Sequence, residues 1–196
     1  MIYVGAALSQ SMGIDLSQSN LVVTAVQSSK GFVPILDSNG ERAISNTIFI
    51  KGDELVVGAN ALQMMPKYYL YTLNDFLNFI GMETQSPKYE SLTNSLWDPK
   101  RVIANSERRS VDFTINFTEE YNKFAPEELV AISLLNARDL TKKQIGYDMN
   151  EGVISYPSIF NEIQRRAIAN SAGIIIIRYI KFQADGNDTI DCSNQC

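Results

Sequence analysis

The sequence predicts a mixed α/β fold, and three observations lead there. Between Ser11 and Val57, short β-branched runs alternate with small polar turns. From Pro126 to Gly146 an amphipathic run carries helix signals at both ends. Gly152–Ile180 then reads strand, helix, strand, the order whose two strands lie parallel. An antiparallel meander followed by helix, strand, helix and strand builds a mixed sheet with helices packed on it.

The opening stretch pairs an apolar half ending on Asp15 with the β-branched run Leu21–Val26, across the polar turn Ser17-Gln-Ser-Asn20. In an ordinary hairpin such a turn is only a turn. A strand-end carboxylate followed by hydroxyls and free backbone N–H groups can also hold a metal–phosphate unit. Gly31–Leu36 is expected as a third strand, closed by the Asn39-Gly40 turn, whose glycine supplies a positive φ. Thr47–Ile50 and Glu54–Val57 continue the meander around Lys51-Gly-Asp53.

The pattern changes at Gly58. Gly58–Met65 is helix-compatible, with Pro66 as its stop. In Tyr68–Ile80 the residues Leu73, Phe76, Leu77 and Ile80 fall at helical spacing before Gly81, and the aromatic crowding reads as core packing. Glu83–Arg109 is expected to be the loosest part, anchored by Trp97. Val111–Phe117 alternates as a half-buried strand. Pro126 suits the first position of the following helix, Glu127 and Glu128 complement its dipole, and Gly146 stops it. Leu129, Ile132, Leu135 and Ile145 are expected on its buried face. Gly152–Tyr156 runs as a strand into Pro157. Asn161 caps a helix over Asn161–Ala172 that ends at Gly173, and Ile174–Ile180 follows as an apolar strand covered on both faces.

Composition narrows the function. The chain has 196 residues, enough for one domain or two subdomains around a buried core. A net charge of −5 without basic runs argues against nucleic-acid binding. With no histidine, Ser-His catalysis, Cys-His catalysis and His-based metal sites are excluded within this chain. Cys192 and Cys196 alone make a poor zinc site. The start lacks the basic n-region of a signal peptide, and no apolar run approaches membrane-spanning length, so no membrane association is expected and the expected setting is reducing and cytoplasmic.

The succession Gly13-Ile-Asp-Leu16, Asn39-Gly-Glu-Arg42, Val57-Gly-Ala-Asn-Ala61, Asp75 with Phe79-Ile-Gly81, Lys123–Leu129 and Tyr156–Arg165 resembles the nucleotide-binding domain of the heat-shock protein 70 (DnaK) chaperones. The resemblance implies the actin-like, ribonuclease-H-like ATPase fold, and of it the first lobe only. A core subdomain would cover about 11–45 and 122–181, an inserted subdomain about 46–121, and a divergent tail 182–196. It implies ATP or ADP with Mg as cofactor, protein folding as the process, and a J-domain co-chaperone as partner.

Departures from the family pattern bear on activity. The family's phosphate turn, Asp-Leu-Gly-Thr-Thr, is Asp15-Leu-Ser-Gln-Ser19 here, so the cofactor-facing candidates are Asp15, Ser17, Gln18, Ser19 and Asn20. A glycine lets backbone approach phosphate without a Cβ, whereas Ser17 and the longer Gln18 crowd that space. The family's catalytic lysine position is Leu77, which cannot stabilise charge on a γ-phosphate. The glutamate that organises its metal–water shell corresponds to Phe182. No residue is therefore assigned as catalytic or as a direct metal ligand.

Pro157 and Arg165 match the family's proline–arginine pair that relays nucleotide state. Arg178 matches the arginine that receives a J-domain. Read from the residues alone, Pro157 ends a strand and Arg165 is a solvated helix residue. The tail Ala184–Cys196 matches nothing in the family and reads as a disordered or replaced end.

The functional readings are an ATP-binding chaperone module with deficient hydrolysis, a non-hydrolysing interaction protein, and a structural protein that keeps only the fold. For the second, Asn39–Ile44 and Asp75–Gly81 look similar to the atypical ribosome-associated members that pair with the zuotin J-protein.

Overall fold

A computed structural model describes residues 11–27, 30–96, 98–115, 123–149, 151–174, 179–184 and 189–191. Trp97, Arg178, Cys192, Cys196 and the end of the expected strand at Phe117 lie outside the described residues.

The opening hairpin forms as read, with β1 over Ser11–Leu16 and β2 over Asn20–Gln27. Alternation places Met12, Ile14 and Leu16 of β1, and Leu21, Val23 and Ala25 of β2, in the core. β3 (Gly31–Ile35) pairs antiparallel with the later half of β2, and β4 (Ala43–Ser45) with its start. Between them the Asp37 carboxylate accepts the N–H groups of Asn39 and Glu41 at 2.8 and 2.9 Å, while Gly40 takes φ 83°.

The meander does not continue as one sheet. β5 (Ile48–Lys51) and β6 (Glu54–Val57) join β7 (Thr72–Leu73) in a separate three-stranded sheet. Ile48 and Phe49 are buried there, and Ile48 joins the same hydrophobic cluster as the main-sheet residues.

Helix α1 spans Ala59–Tyr68 and runs through Pro66, correcting the expected stop. Proline removes one backbone donor, which is tolerable in a last turn where the chain is already tightening into the 3-10 turn Tyr69–Tyr71. The helix expected over Leu73–Ile80 is absent. Thr72–Leu73 pair with β5 instead, Asp75 adopts the left-handed φ of 57°, and only a 3-10 turn, Phe76–Phe79, follows. The four apolar residues are buried, as core packing required, but a strand and a tight turn bury them.

Glu83–Arg109 is better ordered than its composition suggested. It holds α2 (Pro87–Ser95), whose N-terminal amide at Lys88 donates to the Ser86 hydroxyl, and β8 (Val102–Asn105). β8 pairs with β9 (Ser110–Thr114), which pairs with β10 (Lys123–Phe124). Asp112 is buried on β9 and is held by Arg108 and by the Asn105 amide at 2.7 Å.

Helix α3 spans Pro126–Ile145 and ends on Gly146, at φ 93° with its N–H donating to the Lys142 carbonyl. Glu128 accepts from the Ala125 N–H at 2.8 Å, closing its first turn. Its buried face carries Leu129, Val130, Leu134, Ala137 and Thr141. Leu135, expected inside, is 36% exposed, because it lies toward the opposite side of the helix from that face.

β11 (Glu151–Tyr156) lies parallel to β1, and after α4 (Glu162–Ile174) the chain returns as β12 (Tyr179–Ala184), parallel to β11. Asn161 caps α4 reciprocally: its Oδ1 accepts from the Gln164 N–H at 2.9 Å, and the Gln164 side chain accepts from the Asn161 N–H at 3.1 Å. The helix passes Gly173, so Ile174 closes α4 rather than opening the strand. β13 (Thr189–Asp191) pairs antiparallel with β12, which corrects the disordered reading of that part of the tail.

The resulting main sheet runs β13-β12-β11-β1-β2-β3, with β4 beside β2. α3 packs on α4, β2 and β3, so both long helices share one face of it. The lobe is thus mixed α/β, with both parallel and antiparallel neighbours in its main sheet.

Gly81 packs directly against the start of α4. At φ 58°, a Cβ there would sit 2.9 Å from the Gln164 Cα, at the start of α4. Gly81→Ala is therefore expected to destabilise by about 2–4 kcal/mol, combining backbone strain with a forced backbone shift. Urea unfolding measures it, and an effect under ~0.5 kcal/mol would show that the approach is not tight.

Candidate phosphate-binding site

Parallel pairing of β1 and β11 sets Asp15 opposite Ser155, both at the carboxyl ends of their strands. Ligands of open α/β sheets gather at such ends. The Ser155 hydroxyl donates to Asp15 Oδ1 at 2.6 Å, fixing a carboxylate that is otherwise exposed. Sequence reasoning missed Ser155. Its signal was its place in β11, but only the register with β1 makes it a partner of Asp15.

The turn after Asp15 has an internal fastening. Ser17 donates both its N–H, at 3.0 Å, and its hydroxyl, at 2.8 Å, to the Asn20 carbonyl. Neither Ser17 donor is then free for a ligand. None of the hydrogen bonds of the described residues uses the N–H of Gln18 or Ser19, and both residues are exposed. Asn20 is half-buried as the first residue of β2, so its side chain belongs to the turn's base.

Asn46 supports this turn from below. Its side-chain amide donates to the Ser17 carbonyl and its backbone N–H to the Ser19 carbonyl, each at 2.9 Å. It is 2% exposed, and its Oδ1 has no hydrogen-bond partner. Asn46 too was missed. A polar residue between two strands reads as loop until the structure places it beneath Ser17.

Leu77 takes no part in the site surface. It is 1% exposed and packs in the main hydrophobic cluster. Pro157 and Arg165 lie beyond the end of β11, and each touches the Tyr156–Phe160 turn, Pro157 through its carbonyl, which accepts the Phe160 N–H at 3.0 Å. Arg165 donates from Nε to the Phe160 carbonyl at 2.9 Å and lies over the Tyr156 ring at 5.7 Å, while Tyr156 stacks on Phe160. Arg165 is thus a half-buried, positioned guanidinium and not a solvated one. Tyr156 of this turn directly follows Ser155 in the chain.

A family model described as Hsp70 protein matches residues 11–181. This chain belongs to the Hsp70 family. Among Hsp70 relatives, the chain is 30% identical over 169 residues to chaperone protein dnaK1 of Prochlorococcus marinus subsp. pastoris, covering 84% of this chain and 24% of that protein. It is 25% identical over 178 residues to hypoxia up-regulated protein 1 of Mus musculus, covering 91% of this chain and 17% of the relative. For chaperone protein dnaK1 of Parasynechococcus marenigrum the figures are 30% over 173 residues, 86% and 25%. The chain thus spans a quarter or less of the length of these relatives. Hsp70-family domains generally bind ATP or ADP with Mg, and family members generally work with J-domain co-chaperones.

The local residues fit the phosphate–metal end of such a ligand in part. Asp15, held by Ser155, can orient metal-bound water, and the Gln18 and Ser19 amides can donate to phosphate oxygens. The described residues contain no cluster of acidic side chains able to hold a metal by themselves. Leu77→Lys is expected to destabilise the fold by about 3–5 kcal/mol without creating turnover, because the ammonium would enter the apolar cluster. Thermal unfolding and a phosphate-release assay on the same sample check this. A well-folded variant that hydrolyses ATP would show that position 77 reaches the site.

Proposed function

We propose that this chain is the phosphate-facing lobe of an Hsp70-like chaperone that holds nucleotide without hydrolysing it efficiently. The observation that carries the reading is the pairing of a kept carboxylate, Asp15, with a core-buried leucine at the family's lysine position. ATP with Mg supplies the charge to be bound, and its bound metal would order water near Asp15. Asp15 orients that water, the Gln18 and Ser19 amides meet phosphate oxygens, and Asn46 holds the turn's shape. No side chain at position 77 meets charge developing on the transferred phosphate, so the electrostatic contribution of a cation there is missing.

The same reading divides the chain into a core subdomain at about 11–45 and 122–181 and an inserted subdomain at about 46–121. The separate β5–β6–β7 sheet, which lies wholly within 46–121, supports it. A J-domain co-chaperone in the cytoplasm is the proposed partner, with Arg178 as its contact and the Pro157–Arg165 turn as the relay. The ordered stacking of Arg165 on Tyr156, close in sequence to Ser155, supports that relay. Association with ribosomes is the narrower form of this proposal. A ribosome and J-protein pull-down against an Arg178→Ala control is expected to show enrichment lost in the variant, and equal recovery of both would contradict it.

Hydrolysis gives the primary test. This chain with Mg-ATP is expected to release phosphate at background rate and to give no micromolar binding isotherm, since it contacts only the phosphate–metal end. Turnover matching a DnaK protein assayed alongside would overturn the hydrolysis claim. A micromolar Kd would overturn the claim of limited contact.

A further inference from the structure

The described residues also enclose a hollow of about 410 Å³ that shares no residue with the Asp15–Asn20 turn. Leu62, Met65 and Pro66 of α1 and Tyr69 of the 3-10 turn that follows line it together with Leu73, Leu96 and Phe113. The volume lies within the range of small-ligand pockets, and an apolar lining with few convergent polar groups is their usual make-up. Leu62 and Tyr69, at 49% and 44% exposed, leave apolar surface beside it.

Charge in this hollow is unevenly satisfied. The Arg101 guanidinium is spent on backbone, donating to the Tyr69 carbonyl at 2.8 Å and the Leu70 carbonyl at 3.5 Å. Asp98 accepts from the Lys100 N–H at 3.2 Å and lies close enough to Arg101 to favour its charge. Asp75 differs from both. No hydrogen bond or ion pair of the described residues engages its carboxylate, and its left-handed backbone is a conformation that structures keep only where the surroundings enforce it. Burial pushes the Asp75 carboxyl up from its ordinary value, as expected for an acid with no counter-charge. Two carboxylates against one guanidinium leave the lining with surplus negative charge, concentrated on the group without a partner.

We propose that this hollow binds a small organic cation, with a flat or branched apolar body between Met65, Leu73 and Phe113 and one protonated nitrogen on Asp75. The apolar body replaces water against α1, and the cation supplies the hydrogen-bond donor that Asp75 lacks. A neutral ligand of the same shape gains only the first of these. An anion meets the wrong sign of charge.

Benzamidine and its uncharged isostere benzamide test this on the intact chain by amide-resolved NMR titration. Benzamidine is expected to shift the resonances of Asn74, Asp75, Asp98 and Arg101 in one saturable step, and benzamide to bind roughly tenfold more weakly, the equivalent of about 1.4 kcal/mol. Asp75→Asn suits the left-handed backbone and is expected to bring benzamidine down to the level of benzamide, whereas Asp98→Asn keeps most of the preference. Equal binding of the two probes to the unaltered protein, shifts confined to other residues, or an undiminished preference in Asp75→Asn would each overturn the proposal.

Discussion

The parallel pairing of β1 with β11 is the constraint on which the rest depends. It joins Asp15 to Ser155 across 140 residues of sequence. Two parallel neighbours cannot be linked by a tight turn, so after β4 the chain leaves the sheet and returns to it only at β11. The excursion contains the two small sheets, the buried aromatic segment and α3, which comes back to cover the face it left. Gly81 marks how closely the excursion docks, since it leaves no room for a methyl group against α4. Loss of the β1–β11 register would separate the candidate carboxylate from the hydroxyl that orients it.

Polar chemistry at the turn follows from the same geometry. β4 enters beside β2, and Asn46, just beyond β4, reaches the carbonyls of Ser17 and Ser19. A buried amide with an unpartnered oxygen is costly, by about 1–3 kcal/mol. The amide nevertheless fixes a turn whose own Ser17 donors are directed inward. The exposed residues Gln18 and Ser19 then keep N–H groups with no hydrogen bond among the described residues, beside an oriented carboxylate. That arrangement favours phosphate and its metal over a hydrophobic ligand. The charged hollow near Asp75 has the opposite character, apolar with surplus negative charge.

Much of this was legible in the sequence where local signals agreed. The hairpin at Ser11–Gln27, the Pro126–Gly146 helix and the strand–helix–strand order after Gly152 each combine periodicity with the right cap or turn residue. Periodicity misled where length and partners mattered more. Leu73, Phe76, Leu77 and Ile80 share helical spacing, yet Leu73 is claimed by a strand and Asp75 breaks the backbone. Pro66 did not stop α1, since the helix was nearly finished when it came. The place of Asp15 at a strand end was readable because an acid before a polar turn has a local form. Ser155 and Asn46 were not, because what makes each important is a partner distant in the chain.

The central claim is that Asp15 and the turn beside it form a cradle for a metal–phosphate unit. Titrating the chain with Mg-pyrophosphate while following backbone amides tests it most directly. Saturable shifts centred on Gln18 and Ser19, largely lost in Asp15→Asn, are the expected result. Shifts centred elsewhere, or undiminished in that variant, would contradict it.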